Sequence, residues 1–146
     1  MPESSPKPRA VAYLVSQYPM LSMIFIIREV LQLRRLGWRI DVASINAADR
    51  AGDGLTADEA AEADATYYLK PHGMRGALAA HVDTLRRTPR GWLRGVLAAV
   101  QLAGADLRAL ALNLAYFSEA LMVGVWMRER GQCHLHAHLG SQAATM

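Results

Sequence analysis

The sequence predicts an α/β fold, a Rossmann-like parallel sheet flanked by helices, and three observations predict it. Residues 10–15 (AVAYLV) are a short apolar run of strand formers, too short for a helix and suited to burial on both faces. From Ile24 the pattern turns helical, with Ile26, Ile27, Val30, Leu31 and Leu33 on one face and Arg28, Gln32 and Arg35 on the other. Residues 38–45 then return to a strand pattern. Parallel neighbours need a crossover, so strand–helix–strand is the seed of a parallel sheet.

The remaining elements follow in order. Residues 16–22 (SQYPMLS) are a turn around Pro19, with Ser22 expected to cap the helix and Gly37 to end it. Residues 46–56 are a Gly/Asp loop. Residues 57–63 are short, acidic and alanine-rich, and Thr56 with Glu59 forms a capping-box pattern before them. A short third strand is expected over 66–69, ended by Pro71-His72-Gly73. A helix over 73–87 presents Leu78, Val82 and Leu85. Thr88-Pro89 then starts a helix carrying Trp92, Leu93, Val96, Leu97 and Val100, which Gly104 ends. Residues 106–130 are the longest helix pattern. They are apolar nearly all round, which predicts cover from the sheet or other helices. Gly131 ends that helix, residues 132–138 form a fourth strand, Gly140-Ser141 turns, and 141–146 begin another helix.

Composition sets limits. At 146 residues, one domain is expected, and 52% hydrophobic residues suffice for a core. The net charge of +3 comes almost wholly from arginine. The arginines are scattered and not interleaved with aromatics, which argues against a nucleic-acid partner. Arg86, Arg87, Arg90 and Arg94 form the one weak basic stretch. Cys133 is the single cysteine, so no intrachain disulfide exists and an oxidising compartment gains no support. Residues 1–9 read as a disordered polar leader with no apolar core. The apolar stretch 109–127 is interrupted by Asn113, Ser118 and Glu119, so a soluble cytoplasmic chain is expected.

Two stretches carry candidate chemistry. The first is the loop 16–22. It follows a strand and opens onto a helix N-terminus, a place suited to phosphate or sugar oxygens. Ser16, Gln17, Tyr18 and Ser22 supply its polar groups. It is not a G-x-G-x-x-G loop, so the dinucleotide fingerprint is missing. The second is Cys133-His134-Leu135-His136-Ala137-His138. On a strand, His134, His136 and His138 share one face. His136 and His138 lie toward the C-terminal end, where open parallel sheets bind ligands. These histidines could be ordinary sheet residues or offer imidazoles to a metal. The metal reading needs a third ligand, and no Asp or Glu follows Glu129.

Both stretches resemble one family. SQYPMLSMIFIIREV is similar to the opening of bacterial family-4 glycosyltransferases of the colanic-acid and exopolysaccharide type. Their pattern is roughly S-x-x-[FY]-P-x-x-S-x-T-F-[IV]-x-x-E-[IV]. Ser16, Tyr18, Pro19, Ser22, Phe25, Ile26, Glu29 and Val30 match it, while Ile24 stands where the family has Thr. HLHAHLGSQAA is similar to the H-x-H-A-H-F-G-S-x-A-A segment of the same enzymes, with Leu139 for Phe. The two occur in the family's order, and residues 46–131 match in layout only.

The resemblance implies the N-terminal, acceptor-side half of a GT-B fold over residues 10–146, incomplete at its C-terminus. The whole enzyme would transfer a sugar from a nucleotide-sugar to a polysaccharide or lipid-linked oligosaccharide, with retention and no cofactor. A second domain with an E-x7-E segment would hold the donor. His138 would line the reacting centre as the catalytic residue, and Ser16, Gln17, Tyr18, Ser22 and His136 would contact substrate. Peripheral association with the inner face of the cell membrane is a further implication, with Trp92 between Arg90 and Arg94 as a candidate contact. On these residues alone the chain is expected to be inactive. A non-catalytic acceptor-binding module, or a small histidine–metal hydrolase, are the other functions weighed.

Overall fold

A computed structural model describes residues 9–50 and 52–138. The elements are β1 (Ala10–Gln17), α1 (Ile24–Arg35), β2 (Arg39–Asn46), α2 (Ala57–Ala65), β3 (Tyr67–Tyr68), α3 (Leu69–Arg87), α4 (Pro89–Ala103), α5 (Leu107–Glu129) and β4 (Leu135–Ala137). Residues 1–8 of the expected leader, and the turn and helix expected over 140–146, lie outside the described residues.

The four strands make one parallel sheet in the order β3-β2-β1-β4. The α/β, Rossmann-like class read from the sequence is therefore the observed one. Strands β2 and β3 continue from one side of β1, and β4 lies on the other. The order reverses there, so the topological switch point falls between β1 and β4. Open α/β sheets bind ligands beyond the strand C-termini at such a point.

Alternation along the strands separates two cores. Tyr13 and Val15 of β1 and Ile40 and Val42 of β2 pack with Ile26, Ile27 and Val30 of α1. Ala12 and Ala43 face the other way, toward Leu69, Ala80, Met122, Val123 and Trp126. Small residues on that face leave room for the large side chains of α5.

Local chemistry departs from expectation in several places. α1 begins at Ile24, as read, but Ser22 does not cap it: Ser22 sits in a one-turn 3-10 helix, and Met23 is the N-cap without a side-chain bond. Asp49 does related work from the next loop, its Oδ2 accepting from the Leu21 N–H at 2.9 Å. Thr88 precedes Pro89, but its hydroxyl donates to the Thr84 carbonyl instead of capping α4. The capping box of Thr56 and Glu59 does form on α2.

The third strand is only Tyr67–Tyr68, because α3 starts at Leu69 and takes in Pro71 and His72. Proline is tolerated among the first helical residues, whose N–H groups lack helical acceptors anyway. Gly73, at φ 54°, kinks the helix where a side chain would be strained. β4 is also shorter than expected. Its pairing is extended at each end by the Ala12 N–H donating to the His134 carbonyl and the His138 N–H donating to the Leu14 carbonyl, both at 2.9 Å.

The helical side of the sheet differs most from its sequence pattern. The apolar face read on α3 stands open, with Leu78, Val82 and Leu85 exposed. Leu93, Leu97 and Val100 of α4 are exposed too, as are Leu107, Leu112 and Leu114 of α5. α5 is long and apolar enough, by length and composition, to cross a membrane. Its second half is seated on the sheet through Met122, Val123 and Trp126.

Candidate functional site

Strand pairing brings β1 beside the histidine stretch at the switch point. Tyr13 of β1 pairs in register with His136 of β4. The Tyr13 ring lies 5.0 Å, centroid to centroid, from both His136 and His138, and these two imidazoles meet edge to face at 4.6 Å. Glu29 reaches this cluster from the second turn of α1. Its Oε1 accepts from the Tyr13 hydroxyl at 2.7 Å, and its Oε2 lies 3.5 Å from His138 Nε2.

That last distance is too long for a good hydrogen bond in this geometry. His138 Nε2 is buried with no hydrogen-bond partner among the described residues. The His138 side chain is 13% exposed and that of Glu29 42% exposed. Burial holds the His138 imidazole below the ordinary histidine range; Glu29 opposes this and His136 adds to it. His138 is therefore a neutral imidazole at neutral pH, with a ring nitrogen free to donate or accept. Burial, the Glu29 hydrogen bond and its charge push the Tyr13 phenol up, so it stays a donor.

The loop after β1 contributes less than its sequence suggests. Tyr18 is 1% exposed and its hydroxyl donates to Glu62 Oε2 at 2.9 Å. Glu62 also pairs with Arg34, which donates to the Ile40 carbonyl. Tyr18, expected to face substrate, is instead a strut joining the loop to α1 and α2. The Tyr18–Pro19 peptide is cis. Gln17 Nε2 donates to the Ala47 carbonyl at 3.0 Å, and the Ser16 carbonyl accepts from Asn46 Nδ2 at 2.7 Å. Lys70 Nζ donates to Asn46 Oδ1 at 2.6 Å. Ser22 is exposed. Side-chain bonds thus gather Ser16, Gln17, Asn46 and Lys70 along the C-terminal edge of β1 and β2.

His134 and His136 share the α1 side of the sheet, as alternation predicts, and both line a recess of about 470 Å³ with Arg9, Tyr13, Leu33 and Trp38. Among the described residues, no three His, Cys, Asp or Glu side chains converge as a metal-binding group. The hydrolase reading thus lacks its ligand set among these residues.

One further cluster looks catalytic and is not. Ser118 Oγ lies 2.9 Å from His81 Nε2. Trp92 Nε1 donates to His81 Nδ1 at 2.9 Å. An indole N–H can only donate, so Nδ1 carries no proton and Nε2 does. The Ser118 hydroxyl in turn donates to the Leu114 carbonyl at 2.8 Å. His81 cannot accept the serine proton in this arrangement, so the pair is not a nucleophile and its base.

Reading the sequence by itself did not foresee the two partners of the histidines. Tyr13 was one apolar residue of a strand, and Glu29 one charge on a helix. The available signal was that Glu29 belongs to the first matched pattern. Comparison of the chain with family models, curated proteins and solved structures found no match.

Proposed function

We propose that these residues form the acceptor-side half of a GT-B glycosyltransferase. One observation carries the reading. Glu29, from the first matched pattern, meets His138, from the second, 109 positions along the chain, at 3.5 Å and beside the switch point. Two patterns that resemble one family, and that converge on one site, support a single functional unit more than either does alone.

In this reading the His138 ring turns its buried, unpartnered nitrogen out to a hydroxyl or phosphate oxygen entering over the strand ends. Electrostatic stabilisation of charge developing in transfer is its role. Tyr13 and His136 are positioning residues whose rings pack on the imidazole, and Glu29 holds the Tyr13 hydroxyl beside it. Ser16, Gln17 and Ser22 border the entrance. The nucleotide-sugar is the donor substrate and a glycan or lipid-linked saccharide the acceptor. Donor binding belongs to a second Rossmann-like half, and the domain works in the cytoplasm.

The test is transfer of labelled sugar by the chain joined to a donor-binding GT-B half. His138→Ala is expected to slow transfer about 10²–10³-fold, the loss typical of removing one stabilising donor. In the chain by itself, acceptor glycans are expected to shift the His136 and His138 imidazole resonances. If no glycan or lipid-linked saccharide moves those signals, the acceptor-site reading fails.

A further inference from the structure

We propose that the recess lined by His134 and His136 is a binding site for a small planar aromatic carboxylate. It shares Tyr13 and His136 with the candidate site, but rests on Arg9, Trp38 and His134, and holds or fails independently of the sugar-transfer reading.

These three residues come from separate places in the chain and meet for a topological reason. Arg9, Trp38 and His134 each stand immediately before a strand, β1, β2 and β4 respectively. Those strands are neighbours in the order β2-β1-β4, and all run parallel. Parallel pairing gathers their N-terminal ends along one edge of the sheet. Register sets Ala10 against Arg39 and Ala12 against Leu135, so Arg9 falls beside Trp38 and His134 beside Val11. Alternation puts all four on the α1 side. This edge lies at the opposite end of the strands from His138 and the loop after β1.

Charge identifies the occupant. The recess, at about 470 Å³, is in the size class of small-molecule pockets. Arg9, His134 and His136 supply its hydrogen-bond donors, and no carboxylate lines it. Arg9 forms no ion pair with a carboxylate of the described residues. Asp41, near the same edge, points to the other side of the sheet and is held by Arg130 and Gln132. Glu29 is engaged at the Tyr13 hydroxyl. An anion therefore meets donors here and no like charge. The same charges oppose a second copy, since a symmetric contact would bring two such sets together.

Geometry narrows the anion. The Arg9 guanidinium lies over the Trp38 ring, 5.5 Å from its centroid. Stacking on an indole fixes the guanidinium plane and leaves its N–H edge for a forked bond to a carboxylate. Beyond that edge the walls suit a flat body: the rings of Trp38 and His136 flank an apolar floor of Val11 and Leu33.

The test is calorimetric titration of the full chain with 2-naphthoate. Saturable binding is expected. 2-Naphthamide, the same rings without the charge, should bind about tenfold more weakly or worse, and cyclohexanecarboxylate, charged but not aromatic, should also bind more weakly. Arg9→Gln should weaken naphthoate binding about tenfold, the worth of one hydrogen bond to a charged group. His134→Ala should cost about fivefold, the worth of an ordinary one. Arg9 and His134 are exposed, so both variants should keep the circular dichroism spectrum of the parent. No binding, equal affinity for naphthoate and either control, or affinity indifferent to both substitutions overturns the proposal. A chain that binds none of the three compounds and sediments as a dimer overturns it too, and makes the recess a contact between copies.

Discussion

The two sides of the sheet treat apolar sequence in opposite ways. On the α1 side, Ile26, Ile27 and Val30 are each buried against Tyr13, Val15, Ile40 and Val42. On the other side, Leu69, Ala77 and Ala80 of α3 and the second half of α5 pack against the sheet, while whole stripes of α3 and α4 face outward. Hydrophobic periodicity tells which face of a helix is apolar. What covers that face is a separate question, and here the answer changes across a single sheet.

The comparison breaks most sharply at Ile26. Ile26→Ala should cost roughly 2–5 kcal/mol, the range for a buried aliphatic truncated to alanine, and denaturant unfolding measures it. A loss below about 1 kcal/mol would mean the α1 side is no better packed than the helices opposite. Next comes Glu62→Ala, which strands the buried Tyr18 hydroxyl and the Arg34 guanidinium together. Breaking a buried pair costs about 3 kcal/mol, with Arg34's partial exposure keeping it at the low end of that class. If the loss matches an ordinary surface substitution, the loop after β1 is held by packing and not by its strut.

A smaller effect concerns pH. His138 titrates below its unfolded value when folded, so its contribution to stability is fully present above about pH 6.5 and is lost as pH falls through the lower folded value. Unfolding curves should show this decline, and His138→Ala should remove it. Glu29 and His136 face the same imidazole, so Glu29→Gln should deepen the decline by removing the opposing charge. The lowered carboxyls of Asp49, Glu59 and Asp83 act in a separate, more acid window. The smallest change is expected at Leu97→Ala, within about 0.5 kcal/mol, as for surface positions generally. A loss of 2 kcal/mol or more there, on the scale of a core truncation, would show that α4 is covered in solution.

Much of the fold was legible because its signals are local. The run AVAYLV, the switch to helical period at Ile24 and the Thr56–Glu59 capping box each need only a few adjacent residues. The misread elements depend on distant context. Pro71 looks like a strand terminator until the helix start at Leu69 places it where proline costs little. Tyr18 looks like a ligand contact until Glu62, 44 residues later, accepts its hydroxyl. The candidate site divides the same way. Alternation put His136 and His138 on one face, but only the β1–β4 register and the reach of α1 bring Tyr13 and Glu29 to them.

The bond from Trp92 to His81 has a mechanical consequence. Indole at one end can only give a proton, and the Leu114 carbonyl at the other can only receive one. The relay from α4 through α3 to α5 therefore runs in a single direction and cannot reverse. Sliding α3 by one turn would break it at both joints, and sliding α4 or α5 would break it at one. His81 thus ties α3 to both of its neighbours, and Trp126 of α5 seats that group on the sheet.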